Sequence, residues 1–244
     1  MFERAIKLGI LVPAVNDAIE PEMWKMTPEG VTVHAERLMF SMPEVTEEVF
    51  LGFLEEIVQD ASRAAKAIAK VHPNVINFGC TSGSFYKGIE HDKEIIKMIE
   101  GETGIPAVTT STSVVEGLKE LGLKKVCLIS PYTESINDRA KEFLCDNGIE
   151  IIAMKGLGLA PIDFQYVKQS SNLAYEMAKS IYTEKCDGLF CSCTMFKVVG
   201  IIEKFEKDFD KPMVTANQAS MWLMLKKAKY GKPVSGFGEL LRHL

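Results

Sequence analysis

The amino-acid sequence repeats one order of segments, and this internal duplication constrains the fold more than any other feature. Three segments recur in the same order: residues 7–20 match 125–138, residues 75–88 match 188–200, and residues 104–122 match 210–228. The offsets are 118, 113 and 106 residues between the anchor pairs Pro13 and Pro131, Cys80 and Cys193, and Pro106 and Pro212. Because the offset is nearly constant and the order is kept, we expect two similar halves.

Short apolar runs alternate with amphipathic stretches in both halves. The runs show little polar alternation, which is typical of parallel strands covered on both faces. They span residues 6–13, 31–40, 74–79, 106–110, 124–131, 149–155, 186–192 and 211–215. Helical patterns lie between them, and strands alternating with helices indicate parallel sheets. The hydrophobic share of 47% is enough to fill a sizeable core. We predict an α/β fold of two pseudo-symmetric, open parallel-sheet domains of Rossmann-like type.

The duplication also predicts where the domains divide and where a ligand binds. We expect residues 1–117 together with 217–244 to form the first half, and residues 118–216 to form the second. In open parallel sheets, ligands bind at the carboxyl ends of the strands. If the two halves face each other, equivalent loops converge on one cleft, and the active site lies between the halves.

A cysteine followed by threonine ends an apolar run at Cys80 and again at Cys193. We expect each cysteine to precede a helix, whose first backbone N–H groups have no partners within the helix. Such groups can hold a carboxylate, at residues 81–84 on one side and 194–195 on the other. They should also lower the thiol pKa below the value of about 8.5 of a free cysteine.

Cys191 lies close to Cys193, and strand alternation alone does not decide which of the two faces the cleft. The match to Cys80 favours Cys193, with Cys191 pointing into the core. The cysteines do not form paired C-x-x-C motifs, so we expect no metal site.

Several classes of partner are disfavoured by composition and motifs. The net charge of −5 and the lack of a basic cluster argue against nucleic acid. No apolar run approaches the roughly 20 residues of a membrane-spanning helix. The first residues do not read as a signal peptide, which predicts a cytoplasmic protein with reduced cysteines. Neither a G-x-G-x-x-G motif after the first strand nor a phosphate-binding G-x-x-x-x-G-K-[ST] motif occurs, so no cofactor is evident.

Five motifs together resemble the Asp/Glu racemase superfamily, in its branch of maleate cis-trans isomerases and arylmalonate decarboxylases. They are LGILVPAVNDAIEPE at 8–22, GVTVHAERL at 30–38, GCTSGSFYKG at 79–88, SPYTESIN at 130–137 and SCT at 192–194. The resemblance spans nearly the whole chain. It implies a cofactor-independent enzyme with two α/β halves and the active site between them.

The resemblance also assigns site residues. It implies that Cys80 and Cys193 are the catalytic thiols, one from each half. Asn16 and Tyr132 match substrate-binding residues of the maleate isomerases. Thr81 and Ser82 match the loop that binds a substrate carboxylate, and Thr194 follows the second thiol as Thr81 follows the first.

One segment departs from the isomerase pattern. Residues 157–167 contain no asparagine where the isomerases carry one, so Asp163 or Gln165 is a candidate for the space it occupies. An ionised Asp163 would repel a dicarboxylate, and the substrate therefore stays open. The decarboxylases lack the first cysteine, so the presence of both favours an isomerase or a racemase.

We predict a cofactor-independent, two-cysteine isomerase of a small carboxylic acid, of the maleate cis-trans isomerase type. A racemase of amino or hydroxy acids and an arylmalonate decarboxylase-like enzyme are the alternatives within the superfamily. A non-catalytic module that closes on a small acid is the alternative outside it. Apolar stretches such as residues 50–58 suit an interface as well as a core, which leaves a homo-oligomer open.

Overall fold

The computed structural model describes residues 6–41, 47–159 and 165–244. Within these ranges it contains a strand at every predicted position. The strands are β1 Ile6–Pro13, β2 Val31–Leu38, β3 Val75–Phe78, β4 Ala107–Thr109, β5 Lys125–Ser130, β6 Glu150–Gly156, β7 Gly188–Cys191 and β8 Met213–Thr215.

The helices lie between the strands, as the amphipathic patterns predict. In the first part of the chain they are α1 Ile19–Met26, α2 Glu47–Gln59, α3 Ala61–Ile68, α4 Thr81–Phe85, α5 Gly88–Thr103 and α6 Thr110–Glu120. In the second part they are α7 Glu134–Asp146, α8 Gln165–Lys168, α9 Ser171–Ile181, α10 Ile202–Phe209 and α11 Ala216–Lys227. Short 3₁₀ helices span Ala69–Val71, Val199–Ile201 and Leu240–Arg242.

The strands form two four-stranded parallel sheets with the same topology. The first sheet has the order β2-β1-β3-β4 and the second the order β6-β5-β7-β8. The registers are also alike, since β1 pairs with both β2 and β3 while β5 pairs with both β6 and β7. The prediction of two pseudo-symmetric, open parallel sheets in an α/β fold is therefore confirmed.

Burial explains why these runs form strands. Every residue of β3 and of β7 is buried, which suits central strands with helices on both faces. Of the four edge strands, β2 and β6 are only partly buried over most of their length, whereas β4 and β8 are buried. Accordingly, β2 carries polar residues such as Thr32 and His34, whose side chains are 3.0 Å apart.

Equivalent threonines begin equivalent helices in the two halves. The Thr109 side chain accepts the N–H of Thr112 at the start of α6, and Thr215 accepts the N–H of Gln218 at the start of α11. The Gln218 side chain in turn accepts the backbone N–H of Thr215, and the two bonds together form a capping box. These caps bring each half to the same strand-to-helix turn.

Helix α6, which follows the last strand of the first sheet, packs against α11, which follows the last strand of the second sheet. Gly117 in α6 leaves room for the C-terminal 3₁₀ helix, because a Cβ atom there would lie 2.9 Å from Cδ2 of Leu240 and 3.7 Å from Cβ of Ala219 in α11. The predicted limit at 117/118 lies within α6, and the limit at 216/217 lies in the first turn of α11. The domain limits stay a prediction. None of the helices in the described ranges has the length and apolar character needed to cross a membrane.

Candidate active site

The first predicted thiol lies where β3 ends and α4 begins. Gly79 donates its N–H to the carbonyl of Leu11 at 2.8 Å, and a Cβ on Gly79 would lie 2.7 Å from that oxygen. Only glycine therefore fits this approach. Cys80 is the N-cap of α4, and its Sγ accepts the N–H of Gly83 at 3.4 Å. The prediction that a helix follows this cysteine is confirmed.

The second thiol lies on the equivalent loop but in a different backbone conformation. Ser192 donates its N–H to Ile129 at 2.9 Å, as Gly79 does to Leu11 in the first half. Cys193 then has a φ of +96°, and its Sγ accepts the N–H of Met195 at 3.4 Å. This φ differs from the −136° of Cys80, which has the extended conformation usual for an N-cap. The prediction of a helix directly after Cys193 is wrong, because the next helical turn starts at Val199.

The two cysteine loops meet at one cavity of about 50 Å³. All seven predicted site residues line this cavity: Cys80, Cys193, Asn16, Thr81, Ser82, Tyr132 and Thr194. Both catalytic candidates are buried, with 6% of Cys80 and 5% of Cys193 exposed. Cys191, by contrast, is fully buried and is not part of the described lining. Of the two neighbouring cysteines, it is Cys193 that faces the cavity.

Aromatic residues that the sequence analysis did not single out complete the wall. Phe50 and Phe53 of α2 contribute stacked rings with centroids 5.8 Å apart. Tyr166 of α8 packs edge-on against Tyr132, with ring centroids 5.7 Å apart. The i, i+3 spacing of the two phenylalanines places them on one helix face. That spacing was a usable signal, but it also fits a core or an interface.

Of the two candidates for the position of the missing asparagine, the structure describes only Gln165. Asp163 lies outside the described residues. Gln165 begins α8, is half-buried and is not among the described residues that line the cavity. Its neighbour Tyr166 reaches the cavity instead.

Burial controls the ionisation of both thiols. It raises the pKa of Cys80 to about 11, although the Gly83 N–H and the Ser82 hydroxyl favour the thiolate. It raises the pKa of Cys193 to about 12, against donors that include the Met195 N–H and the Tyr132 hydroxyl. The prediction that these thiols ionise more readily than a free cysteine is wrong, because loss of solvation outweighs the local donors.

Tyr132 stays a hydrogen-bond donor in this site. Its hydroxyl bonds to the thiol of Cys193, and burial raises the tyrosine pKa well above its ordinary value. The charge of each cysteine contributes to this rise, so both sulfur atoms lie within electrostatic reach of the tyrosine oxygen. A protonated Tyr132 can therefore stabilise a thiolate on Cys193.

Asn16 bonds both to the first helix and to the second cysteine loop. Its Oδ1 accepts the N–H groups of Ala18 and Ile19 at 3.0 and 3.1 Å and so caps α1. Its Nδ2 donates to Oγ1 of Thr194 at 2.9 Å, which links the first half to the second cysteine loop. The side chain thus fixes one wall of the cavity.

Thr81 offers an unused hydrogen-bonding group. Its Oγ1 is buried and has no partner within the described part of the protein. The neighbouring Ser82 hydroxyl lies 3.8 Å from Sγ of Cys80. Since buried polar atoms normally have partners, the Thr81 hydroxyl is suited to a ligand atom in the cavity.

A sequence model of one family, described as arylmalonate decarboxylase, matches residues 8–241 of the chain. The chain belongs to the arylmalonate decarboxylase family. This match confirms the resemblance predicted from the five motifs. Among the curated members, the arylmalonate decarboxylase of Bordetella bronchiseptica is 25% identical over 240 residues, covering 96% of this chain and 95% of the relative.

Two solved structures of maleate isomerases share the fold of this family member. The enzyme from Pseudomonas putida S16 with maleate superposes with a TM-score of 0.89 at 21% identity, covering 98% of both chains. The Nocardia farcinica maleate cis-trans isomerase superposes with a TM-score of 0.88 at 21% identity, covering 98% of this chain and 99% of that chain. In that second structure one cysteine is replaced by serine, and a succinylcysteine intermediate is covalently bound.

Proposed function

We propose that the protein is a cofactor-independent isomerase of a small unsaturated carboxylic acid, of the maleate cis-trans isomerase type, with Cys80 and Cys193 as its reacting groups. The observation that carries this proposal is the cavity itself, in which two buried thiols from equivalent loops line one enclosed space. Paired thiols on opposite walls can act on adjacent carbons of one small substrate.

In the first step, the Cys80 thiolate adds to one carbon of the double bond. A carbon–sulfur bond forms, and the π electrons move to the neighbouring carbon, which takes the proton of the Cys193 thiol. The product of this step is a saturated thioether, and Cys193 is left as the thiolate. The succinylcysteine in the Nocardia farcinica isomerase is a thioether of this kind and supports the proposed route.

The second step reverses the first after rotation about the new single bond. The Cys193 thiolate removes the proton, the double bond forms again, and the carbon–sulfur bond breaks to release Cys80. No proton or electron is gained overall, so the cycle needs no cofactor. The Tyr132 hydroxyl, bonded to Cys193, stabilises that thiolate between the two steps.

Neutral groups are available to hold the substrate carboxylate. We assign this role to the partnerless Thr81 hydroxyl and to Ser82 on the first loop. On the opposite wall, Thr194 and Asn16 line the cavity and bond to each other, so a ligand can share or replace that bond. The expected partners are thus small carboxylic acids. A cytoplasmic location, a homo-oligomer and the absence of nucleic-acid binding stay predictions.

An arylmalonate decarboxylase-like activity is the second candidate. The family match and the aromatic wall of Phe50, Phe53 and Tyr166 favour it, because such a wall suits an apolar substituent. It would need only one of the two thiols as a proton donor. A racemase would use both thiols, with one removing and the other returning an α-proton.

Proton NMR in D₂O with a panel of mono- and dicarboxylic acids, including maleate and an arylmalonate, tests these activities. Conversion of cis to trans olefinic signals is expected. Deuterium uptake at an α-carbon without olefin change would instead indicate a racemase, and loss of CO₂ a decarboxylase. Binding of an acid without turnover of any compound would contradict the enzyme and favour the binding module.

A further inference from the structure

A buried carboxylate outside the cavity connects the first helix to the loop of the second thiol. Glu22 lies on α1 and is only 8% exposed. Its Oε1 accepts the backbone N–H of Val199 at 2.9 Å, and its Oε2 accepts Nδ2 of Asn217 at 2.7 Å. Burial raises the pKa of Glu22, and both donors offset part of that rise. Burying a carboxyl group costs free energy unless hydrogen bonds compensate for the lost water, so the bonds from Val199 and Asn217 are needed to keep Glu22 buried.

Asn217 extends this connection to the second cysteine loop. It lies in the first turn of α11, and its Nδ2 also donates to the carbonyl of Thr194 at 3.0 Å. Thr194 directly follows Cys193, and its hydroxyl donates to the carbonyl of Gly79 at 3.2 Å. One chain of hydrogen bonds therefore runs from Glu22 through Asn217 and Thr194 to the residue before Cys80.

The loop of Cys193 needs this outside support. Residues 192–198 belong to no helix or strand, and Cys193 has a φ of +96°. Its local bonds include Phe196 N–H to the Cys193 carbonyl at 3.2 Å. A non-glycine residue held at positive φ stores strain and persists only where its surroundings fix it. Glu22 fixes the far end of the loop at Val199 and, through Asn217, the near end at Thr194.

We propose that Glu22 is a positioning residue that holds the Cys193 thiol in the cavity through Asn217 and the 192–199 loop. The inference rests on the proposed function for the catalytic role of Cys193. Its geometric part, the control of the loop by Glu22, does not depend on any substrate.

The two acceptor oxygens of the Glu22 carboxylate are what this arrangement uses. Both Oε atoms accept, and both partners donate. In a Glu22→Gln variant of nearly equal volume, the new NH₂ group would face the NH₂ group of Asn217. Asn217 would have to turn its Oδ1 towards Glu22, and would then present this oxygen to the Thr194 carbonyl in place of a donor. The loop would lose its near attachment without any cavity being created in the core.

The test measures the alkylation rates of Cys193 and Cys80 in the same sample, with iodoacetamide at alkaline pH and peptide mass spectrometry. Since burial is what raises the pKa of Cys193, release of the loop should expose this thiol. In Glu22→Gln we expect Cys193 to react about tenfold faster relative to Cys80, which corresponds to about one pKa unit. We also expect kcat to fall by about 10- to 100-fold, as for a misplaced reacting group.

Glu206→Gln is the matched control. Glu206 is a partly buried carboxylate whose pKa burial also raises, and it accepts the N–H groups of Met213 and Glu239, away from the cavity. This variant should leave the ratio of the two alkylation rates unchanged. Asn217→Ala interrupts the same chain at its second member, so it should reproduce the Glu22→Gln effect. The double variant should then be no worse than the more severe single variant.

An unchanged rate ratio in folded Glu22→Gln or in folded Asn217→Ala would overturn the proposal, and so would an equal rise for both thiols. Should Glu22→Gln not fold, the Asn217→Ala result decides. Failure of the proposed function has a different signature, because wild-type protein would then convert no acid while the alkylation ratio still reports on the loop.

Discussion

Cys80 and Cys193 each accept a backbone N–H, yet burial holds both thiols in the protonated form at neutral pH. At residue scale, the proposed nucleophile is therefore a neutral thiol at rest. About one molecule in ten thousand would carry the Cys80 thiolate at pH 7, given a pKa of about 11. The reaction then depends on forming that thiolate within the closed cavity.

The dependence of activity on pH follows from these pKa values. Between about pH 7 and pH 10 the Cys80 thiolate fraction rises about tenfold per pH unit, while Cys193, with a pKa of about 12, keeps its proton. We expect kcat/KM for the isomerised acid to rise over this whole range. The profile should be measured with initial rates, and a plateau at about pH 8.5 would contradict the raised pKa of Cys80.

Cys145 is exposed and should be replaced by serine wherever thiol labelling is the readout.

Removal of each cavity cysteine should reduce turnover for a different reason. Cys80→Ala removes the nucleophile, and we expect no turnover and no adduct. Cys193→Ala removes the proton donor, and we expect loss of turnover by at least about 100-fold. Cys191→Ala is the matched control, since this buried thiol is outside the described lining. Full activity in either variant of the cavity cysteines, measured by olefinic NMR signals, would remove the mechanism.

At residue scale, the motifs predicted seven of the residues that line the cavity, including both thiols. Phe50, Phe53 and Tyr166 escaped prediction because an aromatic residue at helical spacing packs equally well in a core. The direction of the thiol pKa shift also escaped prediction. It depends on how deeply the sulfur atoms are buried, and burial at the meeting of two domains cannot be read from either loop alone.

At the scale of elements, Asp92 ties α5 to the next strand and helix. It accepts hydrogen bonds from Thr109 at the end of β4 and from Thr112 in the first turn of α6. Burial raises its pKa to about 6, although both threonines favour the charged form. The folded state therefore binds this proton more tightly than the unfolded state does, and the resulting stability is present at low pH.

The upward shift of the Asp92 pKa predicts how the stability of the protein changes with pH. As pH rises through about 6, Asp92 loses its proton in the folded state, and the free energy of unfolding should fall by an amount on the order of 2–3 kcal/mol. Asp92→Asn should remove this part of the slope in urea unfolding measured between about pH 4 and pH 7. Glu90→Gln, on the exposed face of the same helix, should leave it in place. Equal slopes in wild type and Asp92→Asn would contradict the assignment.

The elements themselves were largely predictable, because buried parallel strands have continuous apolar runs and all of the predicted runs are strands. The helix predicted directly after Cys193 was not found. The duplicated motif indicated equivalence with Cys80, but Cys193 has a positive φ and the loop after it bonds to Asn217 and Glu22, which are distant in sequence.

At the scale of the whole molecule, the ligand cavity lies between the two sheets, so a bound acid should stabilise both halves together. A ligand that binds only the folded state adds about 2.7 kcal/mol at 100 times its Kd. We expect succinate, which has no double bond to isomerise, to raise Tm in a single transition. Thr81→Ala should weaken this effect, because it removes the free hydroxyl in the cavity. An equal rise of Tm in the variant would contradict the role of Thr81.

The overall architecture could be predicted because the sequence contains it twice, and each copy supports the reading of the other. The contact between the two copies could not be predicted from the sequence in the same way. Gly117 of α6 leaves room for Leu240 beside Ala219 of α11, and the predicted domain limits fall within α6 and α11 themselves.

The equivalent thiols of the two halves have come to occupy unlike surroundings. Cys80 heads a helix, whereas Cys193 sits in a strained turn beside a tyrosine hydroxyl. Under the proposed mechanism, a symmetric diacid would therefore react unequally at its two equivalent carbons, one of which would bond to sulfur and the other to hydrogen. The fold is nearly symmetric, whereas the proposed chemistry at its two thiols is not.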